Sequence, residues 1–209
     1  MTYTDLLKSW IDVLLHPDKA TRKALSVKEA LKAYYSLAII PIVLGAIMMY
    51  AFGGIYISSQ ALTPVMPGFA GLVKGSVLAI AAGIGLLMAV VLVALPLGIL
   101  VNSALYHVVI SKLFKIYNKD YSRAFTAFFY GSLPVMLMYW LYPAGAIGSV
   151  ILAFIGLWGY WVELVAMSNQ LGMSPLKAFG TYLLYVVTIG IIFVVLAMLA
   201  AFLMFAKII

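Results

Sequence analysis

Four stretches of this sequence carry no Lys, Arg, Asp or Glu: residues 33–73, 75–111, 124–162 and 178–206. They are 41, 37, 39 and 29 residues long, and an α-helix needs only about 20 apolar residues to cross the hydrocarbon core of a bilayer. Backbone inside lipid must satisfy its own hydrogen bonds, so stretches like these become helices. Only 9% of the residues are charged, against about 25% in a soluble domain, too few to solvate a globule of this size. A soluble enzyme, a disordered chain and a disulfide scaffold are thereby excluded. The absence of cysteine also removes thiolate metal sites and thiol nucleophiles.

The expected fold is an all-α, polytopic membrane bundle. The 124–162 run holds two spans, with Tyr142-Pro143-Ala144-Gly145 as the turn between them. The 33–73 run holds one span, followed by a loop containing Pro64, Pro67 and Gly68. Span two is long, and Pro96 kinks rather than ends it, because neighbouring helices satisfy the carbonyl that proline leaves free. Five transmembrane helices result, at about 34–57, 76–114, 123–142, 144–168 and 176–206. Breaking span two at Pro96 would make six, and the positive charges decide against it. Five spans with the N-terminus inside place eleven Lys and Arg on the cytoplasmic side, leaving only Lys74 and Lys207 outside; six spans leave seven against six. The N-terminus is therefore expected in the cytoplasm and the C-terminus outside, in the cell membrane if the source is prokaryotic. The +7 net charge reports orientation.

Residues 1–33 form a cytosolic arm and 34–209 the membrane domain. No signal peptide is expected, because Asp5 and Asp12 interrupt the first residues. Within the arm, Leu6, Leu7, Trp10, Ile11 and Leu14 fall at helical spacing, which predicts an amphipathic helix at about 5–16, ended by Pro17. It lies on the inner leaflet or packs on the inner ends of the spans, and the cations between Lys19 and Lys32 suit anionic headgroups at that face. Ser26-Val27-Lys28-Glu29 reads as a capping box before span one. Ser122 and Ser174 read as hydroxyl caps of spans three and five, the latter with Pro175 at the first helical position. Ala81, Gly85 and Ala89, and Gly145, Ser149 and Ala153, recur every four residues, the spacing of close helix packing within the bundle or of a dimer interface. Tyr139, Trp140 and Tyr142 are expected to form an aromatic belt at the outer face.

Span two ends Leu105-Tyr106-His107-Val108-Val109-Ile110-Ser111-Lys112-Leu113-Phe114, and a short basic loop at 115–120 follows. Then come Arg123-Ala124-Phe125, Tyr130-Gly131-Ser132-Leu133-Pro134, Gly156-Leu157-Trp158-Gly159-Tyr160-Trp161 and Gly172-Met173-Ser174-Pro175-Leu176-Lys177-Ala178-Phe179. In this order of landmarks, over about residues 5–205, the chain resembles the Yip-domain family of Ypt/Rab-interacting, five-span integral membrane proteins. The resemblance implies a role in membrane organisation or traffic, by binding partners rather than by catalysis. The chain lacks the longer cytosolic arm and the Asp-Leu-Tyr-Gly-Pro type motif of the eukaryotic trafficking members. Binding of a Rab-like GTPase is therefore not carried over, and the chain is closer to the prokaryotic members.

The residues themselves also argue against an enzyme. Ser132 and His107 are the only serine–histidine candidates, and Ser132 lacks the Gly-x-Ser-Gly setting of an intramembrane serine protease. One acid, Glu163, lies within a span, so no carboxylate pair forms, and two histidines make no metal site. No cofactor and no nucleic-acid partner is expected. An ionisable group inside a span is costly and marks a pairing or functional site. The candidate intramembrane polar cluster is Glu163, His107, Asn102, Ser103 and Ser132, with Lys112, Arg123 or His107 as ion-pair partners of Glu163. Two further readings stay open: a small carrier, channel or lipid-moving protein, and an accessory subunit of a larger membrane complex. The expected partners are the bilayer, its anionic headgroups, and another membrane protein or a second copy.

Overall fold

The computed structural model describes residues 3–52 and 77–206. Eight helices follow in order: α1 (Tyr3–Leu15), α2 (Pro17–Ala20), α3 (Val27–Phe52), α4 (Val77–Ala89), α5 (Leu95–Tyr106), α6 (Tyr121–Met138), α7 (Gly145–Leu171) and α8 (Pro175–Ala206). Two π-helical stretches, Val90–Ala94 and His107–Leu113, make α4 and α5 one continuous rod, and a 3-10 turn, Tyr139–Ala144, joins α6 to α7. The protein is an all-α, multi-span membrane protein. Four apolar helical stretches are long enough to cross a membrane: Val27–Tyr50, Ile80–Leu113, Tyr121–Leu171 and Pro175–Phe202.

The charge map predicts five spans, and the third of these stretches accounts for the difference. Its 51 residues are helical from end to end, because Tyr142 and Pro143 accept helical geometry and no loop separates the two arms. The chain still reverses there. Gly145 takes φ +71°, ψ −137°, a conformation that only glycine adopts without strain. The reversal is read from the pairing along the arms: Gly131 lies against Glu163, Pro134 and Val135 against Gly159, and Arg123 against Gln170. α6 and α7 are therefore an antiparallel hairpin. α3 begins at Val27 rather than at 34, because helix start is set by the capping box and not by the last charge. Ser26 N–H donates to Glu29 Oε2 at 2.9 Å, and Glu29 N–H donates to Ser26 Oγ at 3.2 Å. The predicted end of span one at 57 and the loop with Pro64, Pro67 and Gly68 lie outside the described residues.

The other two caps diverge. Ser174 Oγ accepts from Lys177 N–H at 3.3 Å, with Pro175 as the first residue of α8. Ser122 caps nothing: α6 starts at Tyr121, with Asp120 at the cap position, and Ser122 is inside its first turn.

Pro96 does kink the rod without ending it. Its ring offers no N–H to the carbonyl four residues back, Leu92 O, and the π-helical stretch sends Leu95 N–H to Val90 O instead of Val91 O. Two carbonyls are left over, and α3 serves both. Tyr34 Oη donates to Val91 O at 2.6 Å, and Tyr35 Oη donates to Leu92 O at 3.3 Å.

The predicted stripe on α4 faces away from the bundle, and the one on α7 does so beyond its first residue, Gly145, which is buried. Ala81, Gly85 and Ala89 are exposed, as are Ser149 and Ala153. The close approach is made elsewhere, at Gly131 and Gly159. A methyl group on Gly159 would stand 2.7 Å from Gly131 O, and one on Gly131 would collide with the Glu163 side chain.

Candidate functional site

The predicted polar residues are distributed over three helices, and all but Glu163 have partners outside the cluster. Asn102 Oδ1 accepts from Tyr185 Oη at 3.1 Å. Ser103 Oγ donates to Leu100 O and lies 3.0 Å from Tyr121 Oη. His107 Nδ1 lies 3.0 Å from Tyr117 Oη. Ser132 Oγ donates back along its own helix to Phe129 O at 2.7 Å. No hydrogen bond joins any two of the five cluster residues among the described residues. Burial pushes the Tyr117 hydroxyl up from its ordinary value, with Tyr106 adding to the shift; it therefore stays protonated at neutral pH.

Glu163 stands apart. Its Oε1 is enclosed and has no hydrogen-bond partner among the described residues, while its side chain lies directly over Gly131. The three cations expected to pair with it are placed elsewhere. Arg123 Nη1 donates to Gln170 Oε1 at 3.1 Å, His107 faces Tyr117, and Lys112 is exposed. The hairpin register is the reason. Arg123 lies level with Gln170 and Glu163 level with Gly131, eight residues along α6, which is about 12 Å of helix rise.

The charge map did not reveal the most densely bonded polar site, which is where the arm meets the end of the hairpin. Gln170 is 2% exposed, and its amide is fully used. Nε2 donates to Thr21 O and, at 3.0 Å, to Lys23 O, while Oε1 accepts from Arg123. Asn169 Nδ2 donates to Asp18 O and Thr21 Oγ1. Tyr130 Oη donates to Lys23 O at 3.1 Å, and Thr126 Oγ1 donates to Leu25 O at 2.9 Å. Residues 18–25 are thus held, carbonyl by carbonyl, by side chains of α6 and α7. The signal for this was the polar pair Asn169-Gln170 closing an otherwise apolar helix. Its partners lie about 150 positions earlier and could not be read from spacing.

α1 packs on the same hairpin through a face rotated from the predicted one. Trp10 and Val13 are buried, Trp10 meeting Phe129 edge-on at 5.4 Å, while Ile11 and Leu15 are exposed. Trp158 Nε1 donates to Leu14 O at 3.1 Å. Side chains of Leu6 and Leu7 lie outside the described residues. Between this arm and the first turns of α3 is a cavity of about 670 Å³, lined by Trp10, Val13, Lys19, Lys23, Lys32 and Tyr130 among others. The first turns of α3, α6 and α8 and the last turns of α7 gather at this end of the bundle. The cations gather with them: Lys19, Arg22, Lys23, Lys28 and Lys32 on the arm and α3, Lys112, Lys115, Lys119 and Arg123 around the start of α6, and Lys177 on α8.

Among the described residues no group of three or more His, Asp or Glu is placed to hold a metal ion. No match is found among curated proteins or solved structures. Residues 11–198 match the Yip1 domain, and the chain belongs to that family of non-catalytic, multi-span membrane proteins.

Proposed function

We propose that the chain, as a Yip1 domain protein, crosses the membrane five times with its N-terminus in the cytoplasm and its C-terminus outside, and organises the membrane by binding partners. Five crossings are supported by the hairpin. α6 and α7 have 18 and 27 residues, about 27 and 40 Å at 1.5 Å per residue, and run antiparallel, so the 51-residue stretch crosses a roughly 30 Å core twice. The N-inside orientation is supported by the gathering of cations at the end of the bundle where the arm sits.

The observation that carries the partner-binding reading is that, Glu163 apart, the polar groups inside the bundle are paired with one another. Asn102 with Tyr185, Ser103 with Tyr121 and Tyr106 with Thr181 join neighbouring helices. Groups used in this way stiffen a scaffold rather than line a path for an ion or a solute. A role as subunit of a larger complex has its own support in the two outward-facing stripes of small residues, surfaces suited to another helix or to a second copy of the chain. Anionic headgroups at the cytoplasmic face complete the partner list.

The test is purification from native membrane in a mild detergent, with co-purifying proteins identified by mass, alongside reconstitution of the purified chain in liposomes. A defined partner in constant ratio and no proton or cation flux is the expected result. A lone species giving a flux that Glu163→Gln abolishes would replace this reading with that of a carrier.

A further inference from the structure

The cavity between the arm and α3 has walls of two kinds. Trp10, Val13, Leu25 and Ala33 give it apolar surface, and the exposed Lys19, Lys23 and Lys32 give it positive charge. Asp12 and Glu29 share the lining, but Glu29 Oε2 is already taken by Ser26 N–H and Oγ in the cap of α3. Three ammonium groups thus stand against two carboxylates, one of them already bonded within the cap. Lysine presents its charge as a point at the end of a flexible stem, a form suited to phosphate oxygens.

A second observation belongs to the apolar wall. Trp10 is 4% exposed, and its indole N–H has no acceptor among the described residues, whereas Trp158, on α7, donates to Leu14 O of the arm. A buried indole N–H ordinarily has an acceptor. The nitrogen is enclosed by the surrounding protein, so what Trp10 contributes to the cavity lining is apolar ring surface.

We propose that this cavity binds one phospholipid with an anionic headgroup, its phosphate held by Lys19, Lys23 and Lys32 and its glycerol and first chain carbons against Trp10 and Val13. A volume of about 670 Å³ is within the usual range of small-molecule sites. An inorganic or sugar phosphate shares the headgroup chemistry but has no use for an indole and aliphatic wall beside the start of a spanning helix. The proposal rests on the reading that this end of the bundle sits at a leaflet carrying anionic lipid. It does not depend on whether a protein partner exists.

The experiment is native mass spectrometry of the delipidated full chain, titrated with phosphatidylglycerol and with phosphatidylcholine of identical acyl chains. One phosphatidylglycerol per chain is expected, preferred about tenfold over phosphatidylcholine and retained in the presence of excess glycerol 3-phosphate or inorganic phosphate. The exposed pair Lys23→Glu and Lys32→Glu should abolish that preference at an unchanged melting temperature, and Lys23→Arg with Lys32→Arg should keep it. Lys112→Glu with Lys119→Glu, on the far side of the helix ends, should leave it intact. Equal binding of the two lipids, or a preference that survives the Lys23 and Lys32 reversals, would overturn the site. Displacement by glycerol 3-phosphate or inorganic phosphate would overturn its assignment to a lipid. None of these outcomes bears on co-purification, so loss of the site and loss of the partner-binding reading are told apart.

Discussion

The α6–α7 hairpin and the far half of α8 are drawn from the same apolar residues and behave in opposite ways. From Ala124 to Gly131 every residue of α6 is buried, and from Ile191 to Phe202 every residue of α8 is exposed. α8 loses nothing in hydrophobicity by this, since its surface is Val, Ile, Leu, Met and Phe. In water the more apolar helix would be driven to the centre. Lipid tails are as apolar as leucine, so that drive is missing between helices in a bilayer. What remains is close backbone approach and satisfied polar groups, and α6 has both, in Gly131, Ala124, Ala127 and Thr126. Gly190 of α8 has nothing within 4 Å of where a side chain would start.

The comparison breaks most sharply at the glycines. Gly159→Val places a side chain against Gly131 O, and Gly131→Val places one in the Glu163 side chain; each should destabilise by about 3 kcal/mol and lower the melting temperature in detergent by many degrees. Gly190→Ala should do no harm and should add a few tenths to about 1 kcal/mol, because alanine is the better helix former. If all three melt alike, packing at the hairpin is not what holds the bundle. Next in size is Gln170→Leu, which strands the Thr21 carbonyl, leaves the Lys23 carbonyl to Tyr130 alone and releases Arg123. About 2 kcal/mol is expected, together with faster limited proteolysis between residues 17 and 25, while the spans stay protected.

A smaller effect is expected where α3 meets the proline kink. Tyr34→Phe removes the 2.6 Å bond to Val91 O at about 1 kcal/mol, and Tyr35→Phe, on a longer and exposed bond, should cost less. Substitutions on the exposed half of α8, such as Phe193→Leu, should stay within about 0.5 kcal/mol. Finally, Lys115 ends the rod with φ +54°, a left-handed conformation unfavourable for a residue with a Cβ. Lys115→Gly should stabilise by about 1 kcal/mol, seen as a small rise in melting temperature.

The spans were legible because lipid imposes one rule on every residue at once: no charge, and a helix. The capping box was legible because Ser26 and Glu29 are neighbours, and the kink at Pro96 because proline's missing N–H is a local fact. What the sequence hid is relative position. Nothing in it pairs Tyr34 with Val91, or Gln170 with Thr21. Arg123 and Glu163 attract by formal charge, and the register of an antiparallel hairpin sets them too far apart to meet. The small-residue stripes obey the same limit, since a four-residue spacing shows that a face is smooth and not which way it turns. Burial of α1 through Trp10 and Val13, with Ile11 outside, is a rotation that periodicity does not specify.

The strap at residues 18–25 has a consequence for how the protein is made. Its anchors, Asn169 and Gln170, leave the ribosome about 150 residues after it. At roughly 5–20 residues per second that is a wait of roughly 7–30 s, during which the strap has no place to dock. It is therefore made well before the side chains that position it. Docking of residues 18–25 therefore requires that α6 and α7 have already come together in register, since the side chains that hold the strap come from both.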